Sequence, residues 1–479
     1  MVRAVLKTSI KPTVVGVLAA LLGVSTLPAE ARMSDIARES AVQRACQAAI
    51  WAMPAVSTWD IAQGIINDLG GKVGDLVQLS QPMTSQHGFL TANDVTPYSV
   101  AALTTADGPL VVEVPPATAK VNLFGTFVDA WMRPVADVGE RGTDKRAGGK
   151  YLFLPVGYDG PVPAEGYYVF QLDGYSINFA FRPVSRGDGT IADAVDHVRK
   201  NLRVYPLADA DTPPDTVFLD ASGRKWDTLP YYDLSYFRDI WNFVQGEPIR
   251  ERDKAMYGVL RAIGIEKGVP FAPSEEWIAI YEDGAKCAFD YMQDRWLTPN
   301  VMLVPFNGDK NHWQQPNVPP DQAAKGFPFE DRGIPLIDAR VDAYFWATYF
   351  PVVLGGSSFY LMSLRDSDGE LLNGEDTYRL TVPKDTPAAD FWSAIAYSMV
   401  TKGFIRDAER VGLSSRELDK LAVNADGSVD LYFAPKAPEG HESNWVPTGE
   451  DWFSIFRFYG PEKELFDKSF VLPDFERVE

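Results

Sequence analysis

The sequence predicts an α+β protein, mainly β, in which two antiparallel β-domains are separated by a helical segment. From Tyr378 to Arg457, short aromatic and β-branched runs alternate with tight polar turns such as Asn424-Ala425-Asp426-Gly427-Ser428, the mark of antiparallel strands. A second strand-rich stretch runs from Asp94 to Val184. Between the two, apolar residues recur three and four apart, which is helical spacing.

The elements follow in order. Arg3, Lys7 and Lys11 form a basic start, Val14 to Leu27 is apolar, and Ala29-Glu30-Ala31 is a small-x-small cleavage signal. This predicts a signal peptide over 1–31, cut after Ala31, and a periplasmic or secreted protein. The apolar run of 14 residues is too short to cross a bilayer, which takes roughly 20, so no stable membrane insertion is expected after cleavage. Residues 32–93 form an N-terminal helical segment, with one helix from Ser34 to Ala55 and a shorter piece from Ser57 to Leu69. The first β-domain covers 94–185. Its strands include Leu110 to Val114, closed by Pro115-Pro116, and Lys150 to Val156. Gly166 to Leu172 and Ser176 to Arg182 read as an antiparallel pair turned at Asp173-Gly174.

The helical middle covers 186–341. Helices are predicted over Thr190 to Val204, Tyr232 to Gln245, Arg250 to Ile263 and Ser274 to Trp296, followed by a Pro- and Asn-rich loop from Pro305 to Pro335. A loop that long tends to be functional or to cover something. The second β-domain covers 342–479, with strands over Phe359 to Leu364, Thr377 to Val382, Asp390 to Met399, Val429 to Phe433 and Trp452 to Tyr459.

The formal net charge is −20, and loss of three basic residues and one acidic residue with the leader makes it −22. Such a chain repels phosphate backbones and anionic headgroups, which excludes nucleic acid and leaves a small-molecule or carbohydrate ligand as the expected partner. Homo-oligomerisation stays open. Cys46 and Cys287 are the only cysteines. An exported chain can bridge them, yet each lies in a helical pattern where a buried thiol acts as a small apolar residue, so the pairing stays open.

No metal or cofactor is expected. His87, His197, His312 and His441 lack metal-ligand spacing, and no glycine-rich phosphate or dinucleotide loop exists. Asp366-Ser367-Asp368-Gly369-Glu370 reads as a hairpin turn rather than a calcium loop. No Gly-x-Ser-x-Gly elbow is present. Paired carboxylates remain as a source of acid–base chemistry, and three acidic residues in unusual surroundings are the catalytic candidates: Asp94 in an Asn-Asp turn, Glu113 within a strand, and Asp342 among apolar neighbours. Pairing of Asp342 with Arg340 or another neighbour would explain it as structure alone. The ligand-binding candidates are Asn93, Tyr98, Arg340, Tyr344, Asn444, Trp445 and Arg457. Large rings such as Phe391 and Trp392 are better read as core, whereas Trp445, in a Pro-bounded loop, is the ring most suited to face a ligand.

Two strings carry a family resemblance. Thr91-Ala92-Asn93-Asp94-Val95-Thr96-Pro97-Tyr98-Ser99, Gly108 to Pro115, Arg141 to Thr143 and Gly148 to Tyr151 resemble domain of unknown function 1254. The C-terminal string with Phe391-Trp392-Ser393, Asn444-Trp445-Val446-Pro447 and Phe456-Arg457-Phe458-Tyr459-Gly460-Pro461 resembles its partner, domain of unknown function 1214. One departure is Asn93-Asp94-Val95-Thr96 before Pro97-Tyr98, where the family pattern places Thr directly after Asn-Asp. The resemblance implies a bacterial exported protein with two β-sandwich, jelly-roll-like domains and a helical insert, and it supplies no catalytic residues. Two functions follow as expectations: a carboxylate-dependent hydrolase of glycoconjugate-type substrates, or a non-catalytic envelope protein holding a small carbohydrate or apolar ligand between its β-domains.

Overall fold

A computed structural model describes residues 33–298, 303–316, 320–346, 349, 351–353 and 358–478. The expected leader and its cleavage site lie outside the described residues. Helix α1 (Asp35–Asn67) starts at Ser34, whose hydroxyl accepts from the Ala37 amide at 3.3 Å. It runs unbroken through Pro54, where two pieces were expected. Trp51, Met53, Ala55, Val56 and Ile61 are buried around that point, and packing on several sides outweighs the loss of one backbone bond at a proline. Helices α2 (Ile191–Asn201), α3 (Leu234–Gly246), α4 (Lys254–Ala262), α5 (Glu275–Leu297), the short α6 (Pro320–Ala324) and α7 (Ile337–Trp346) follow. α1 is the axle of the helical layer, touched by α3, α4, α5 and α7.

The Cys46–Cys287 disulfide joins α1 to α5 across 241 residues of sequence, with the Cα atoms 5.5 Å apart. Gly284 permits this approach: a Cβ there would meet that of Ala45 at 2.6 Å. The pairing that spacing left open is therefore made, and it points to an oxidising, extracytoplasmic compartment. Among the described residues no helix is long and apolar enough to cross a membrane.

Each half of the chain builds a six-stranded and a four-stranded sheet. In the first half the larger sheet runs Phe218–Leu219, Leu76–Gln78, Ser99–Thr104, Ser176–Ser185, Val121–Asp129, Pro134–Val138, and the smaller runs Arg203–Pro206, Leu110–Val114, Gly149–Leu154, Tyr168–Gln171. In the second half the larger sheet is Leu303–Pro305, Gln314–Pro316, Ser358–Ser363, Trp452–Pro461, Ala388–Ser398, Gly412–Ser414; the smaller is Trp445–Pro447, Val429–Ala434, Thr377–Val382, Glu476–Val478.

Three expectations need correction. Helix and strand contribute 28% each, so the protein is α+β without being mainly β. The sheets are mixed rather than purely antiparallel, because Leu76–Gln78, Tyr168–Gln171 and Trp445–Pro447 each pair with a parallel neighbour. The strands flanking Asp173-Gly174 do not form a hairpin but enter different sheets. Asp173 instead receives Arg133 at 2.9 Å and Arg250 at 2.6 Å, with Arg252 also paired to it, so this turn is fixed by charge to the helical layer.

Strand periodicity explains the layering. In the first large sheet Ala101, Leu103, Phe127, Phe179 and Phe181 share a core with Val112, Tyr151 and Phe153 of the small sheet. The alternate residues Val100, Ala102, Val128 and Ala180 join the helical core with Trp51 and Trp131. In the second large sheet Trp392, Phe456 and Phe458 face Leu380, Leu431 and Phe433, while Ile395, Tyr397, Phe453 and Ile455 join the same helical core. Both large sheets are thus buried on two faces, and one core connects them. Continuing that alternation, Arg457 and Tyr459 fall on the face turned toward the first half of the chain.

Candidate functional site

The segment 91–98, which leads into strand Ser99–Thr104, crosses the second large sheet and is pinned by it. The Thr91 amide donates to the Lys402 carbonyl at 2.8 Å. Arg457 Nη2 donates to the Thr91 and Ala92 carbonyls at 2.8 and 3.1 Å. Tyr397 also donates to the Ala92 carbonyl, and Asn93 Nδ2 donates to the Tyr459 hydroxyl. Asn93 Oδ1 accepts from the Val95 amide at 2.7 Å, a local turn that sets the path of the acidic residue between them.

Arg182, on strand Ser176–Ser185, meets this cluster from the first half. Its guanidinium lies 5.1 Å from the Tyr98 ring and 5.8 Å from Phe124, and its Nη1 donates to the Tyr360 hydroxyl at 3.2 Å. Arg457 stands over the same Tyr360 ring at 5.1 Å and over Tyr397 at 5.6 Å. Ser358 adds a hydroxyl contact to Tyr360 at 3.1 Å. Behind these, Phe391 stacks on Tyr459 at 3.9 Å, and Arg416 covers Phe391 at 3.8 Å.

The electrostatics are unusual. Among the described residues neither Arg182 nor Arg457 forms an ion pair with a carboxylate, and tyrosines are their main charge partners. Arg457 is 1% exposed, and its Nε and Nη1 have no hydrogen-bond partner. Burial would raise the Tyr360 hydroxyl, but the two guanidiniums outweigh it and bring its pKa down to about 8. Asp94 is a nearby acid, and Glu417 acts on it by charge. Burial pushes its carboxyl up to about 6 although Arg457 attracts the charge. Asp94 Oδ1 and the Thr96 hydroxyl are buried without partners.

Because native Asp94 holds its proton more tightly than the unfolded chain does, stability falls as pH rises from about 4 through 6 and stays lower above. Asp94→Asn is expected to flatten that slope and to add about 1–2 kcal/mol at pH 7. Urea unfolding at pH 4.5 and pH 7 measures both effects.

Of the residues singled out in the sequence, Asn93, Asp94, Tyr98 and Arg457 come together here, and the others lie elsewhere. Glu113 accepts from the Tyr205 hydroxyl at 3.2 Å on the first small sheet. Asp342, on α7, receives Arg295 in a two-point pair, with Nε to Oδ1 at 2.8 Å. Arg340 does not pair with Asp342; it donates to the Trp51 carbonyl at 2.7 Å and lies 4.0 Å over the Trp131 ring. Tyr344 is buried in the helical core. Asp94, Glu113 and Asp342 therefore occupy three settings, and no two of them share a site.

Asn444 holds the Ala422 backbone through both its amide atoms, each at 2.8 Å, and also donates to the Asp430 carbonyl at 2.8 Å. Trp445 Nε1 donates to the Ala434 carbonyl at 2.9 Å. Asn444→Ala should cost about 2–3 kcal/mol, since buried backbone groups lose their partners; chemical denaturation checks it.

Arg182 and Tyr360 escaped the sequence reading. The available signal was an arginine beside buried phenylalanines on a strand, Phe181-Arg182, which repeats in Phe456-Arg457-Phe458.

Residues 73–206 match the family described as "Protein of unknown function (DUF1254)", and residues 357–463 match "Protein of unknown function (DUF1214)". The chain is a DUF1254/DUF1214 protein. The cluster draws on both matched segments of this DUF1254/DUF1214 protein: Asn93, Asp94, Tyr98 and Arg182 from the first, Tyr360, Phe391, Tyr397, Arg416, Arg457 and Tyr459 from the second. The fold is similar to that of the VPA0106 protein from Vibrio parahaemolyticus, at 16% identity and TM-score 0.52, covering 92% of this chain and 100% of that one. An uncharacterized protein from Burkholderia cenocepacia aligns at 13% identity and TM-score 0.38, over 92% of this chain and 95% of that one. No curated protein matches the sequence.

Proposed function

We propose that this DUF1254/DUF1214 protein is an exported, periplasmic or secreted binding protein that holds a small carboxylate-bearing ligand between its two β-domains, each read as a sandwich of two facing sheets. The observation that carries this is the pair of guanidiniums, Arg182 and Arg457, brought from opposite halves to one tyrosine with, among the described residues, no carboxylate ion-paired to either. Charged groups removed from water are costly unless paired. An anion placed between two such forks gains charge-assisted, geometrically specific hydrogen bonds. The rings of Tyr98 and Tyr360 beside the two guanidiniums suit a flat or ring-shaped ligand body.

The hydrolase reading keeps one supporting observation: Asp94 near 6 and Tyr360 near 8 bracket neutral pH, as acid–base groups do. Glu417, whose charge helps raise Asp94, is its candidate for the second carboxylate that such hydrolysis uses. A thermal-shift screen of the mature protein with carboxylates, their amides and neutral sugars separates the readings. A rise in Tm with carboxylates alone, without turnover, supports binding. A rise only with neutral sugars overturns the anion assignment, and product formation transfers the site to catalysis.

A further inference from the structure

The two halves of the chain repeat one strand topology. In chain order, Ser99–Thr104, Leu110–Val114, Val121–Asp129, Pro134–Val138, Gly149–Leu154, Tyr168–Gln171, Ser176–Ser185 and Arg203–Pro206 alternate between large and small sheet. Ser358–Ser363, Thr377–Val382, Ala388–Ser398, Gly412–Ser414, Val429–Ala434, Trp445–Pro447, Trp452–Pro461 and Glu476–Val478 alternate in the same way and take the same neighbours. The directions agree too. Gly149–Leu154 is parallel to Tyr168–Gln171, and its counterpart Val429–Ala434 is parallel to Trp445–Pro447.

This repeat sets the two arginines at matching positions. Phe181 and Phe456 each join the core shared by the two sheets of their half, and Arg182 and Arg457 follow them on the opposite face. Ser99 pairs with Phe181, and Leu361 with Phe456. One residue back along those strands stand two tyrosines. Tyr360 is opposite Arg457, and Tyr98 continues the first register to Arg182. Each guanidinium lies 5.1 Å from its tyrosine ring. On the other side Arg182 is opposite Phe124, and Arg457 is opposite Ser393. The turns after those residues confirm the alignment: Asp129 Oδ1 accepts from the Trp131 amide at 2.8 Å, and at the corresponding place Ser398 Oγ accepts from the Val400 amide at 3.2 Å.

The two tyrosine–arginine pairs also meet. Arg182 donates across the interface to the Tyr360 hydroxyl at 3.2 Å, and the charge of Arg457 bears on Tyr98. The guanidiniums are close enough to repel each other. Arg182, Tyr360 and Asp94 are half-buried, so the cluster reaches the surface there, whereas Arg457 is buried. A bidentate pair uses both oxygens of one carboxylate on one guanidinium, so two such pairs take two carboxylates.

We propose that the interdomain site takes a dicarboxylate, with one carboxylate on Arg182, the other on Arg457, and the body of the ligand beside the Tyr360 ring. The proposal rests on the carboxylate reading above and adds the second acidic group. Binding is non-covalent and transfers no group.

Succinate, glutarate, adipate and terephthalate, each titrated by calorimetry into the mature protein beside its own monoamide, test the assignment. At least one diacid is expected to bind more tightly than its monoamide by roughly 10-fold or more, the gain of one further charge-assisted pair. Arg182→Met and Arg457→Met should each lower that diacid to or below the affinity of the monoamide for wild type. Arg457 holds backbone carbonyls and Arg182 a side chain, so Arg182→Met keeps the test valid if Arg457→Met does not fold. Monoamides that match every diacid would overturn the dicarboxylate assignment and leave the carboxylate reading standing. A diacid preference that survives Arg182→Met would overturn it as well, and binding of neither class would overturn both.

Discussion

Arg457→Met is expected to weaken a bound carboxylate by about 100-fold and to return the Tyr360 ionisation from about 8 toward the ordinary tyrosine range. A 100-fold loss corresponds to about 2.8 kcal/mol, the size of one charge-assisted hydrogen bond. The ionisation moves because Arg457 is one of the two guanidiniums that hold the phenolate. The pH dependence has a definite sign. Tyr360 has a depressed folded pKa, so its contribution to stability is fully present above about pH 10, the ordinary value, and is lost as pH falls through about 8. Wild type should therefore gain stability between those values, and the methionine variant should gain less. Phenolate absorbance gives the titration directly: one of the 20 tyrosines should ionise early in wild type and later in the variant, where Arg182 alone remains. Arg457→Lys keeps charge but loses the fork that reaches the Thr91 and Ala92 carbonyls. It should restore much of the Tyr360 shift and little of the binding, which separates charge from geometry.

Removal of the disulfide is the second large effect. Cys46→Ala with Cys287→Ala is expected to cost about 4–5 kcal/mol, because the bridge closes a very long loop in the unfolded chain. That loop spans 241 residues. Neighbouring contacts do not replace the bridge: Arg38 pairs with Asp283 at 2.6 Å, but both side chains are largely exposed, where such pairs contribute at most about 1 kcal/mol. Urea unfolding of wild type with and without reductant, beside the double variant, measures it. The reduced wild type and the variant should share one lowered midpoint. A reduced midpoint equal to the oxidised one would show that the α1–α5 packing around Gly284 is sufficient alone.

Much of the fold was legible because local pattern and burial agree. The apolar stripes of α2, α3 and α5 have helical spacing, strand Thr377–Val382 alternates as its one buried face requires, and Trp452–Pro461 is a nearly continuous aromatic run because both its faces are buried. Legibility failed where tertiary contacts override local rules. A break was expected between Ala55 and Ser57, but burial on several sides carries α1 on to Asn67. Asp173-Gly174 looked like a hairpin turn, but three arginines hold it between sheets.

The candidate site was half legible for a related reason. Asn93, Asp94, Tyr98 and Arg457 stand in distinctive strings, whereas Tyr360 gains meaning only when strand pairing brings it beside Arg457 across the second large sheet. Asn93 and Tyr459 are 366 residues apart and touch, a contact that spacing cannot reveal. Asn444 and Asp342 illustrate the converse. A polar residue among apolar neighbours looks the same in sequence whether it binds a ligand or, as here, the backbone or an arginine.

The most direct test of the interdomain assignment is a calorimetric titration of the carboxylate panel into wild type, Arg182→Met and Arg457→Met side by side. Saturable, one-to-one binding of at least one carboxylate to wild type is expected, with its loss in both variants, each of which removes an arginine from a different half of the chain. Absence of carboxylate binding in folded wild type, or binding that survives both substitutions, would contradict it.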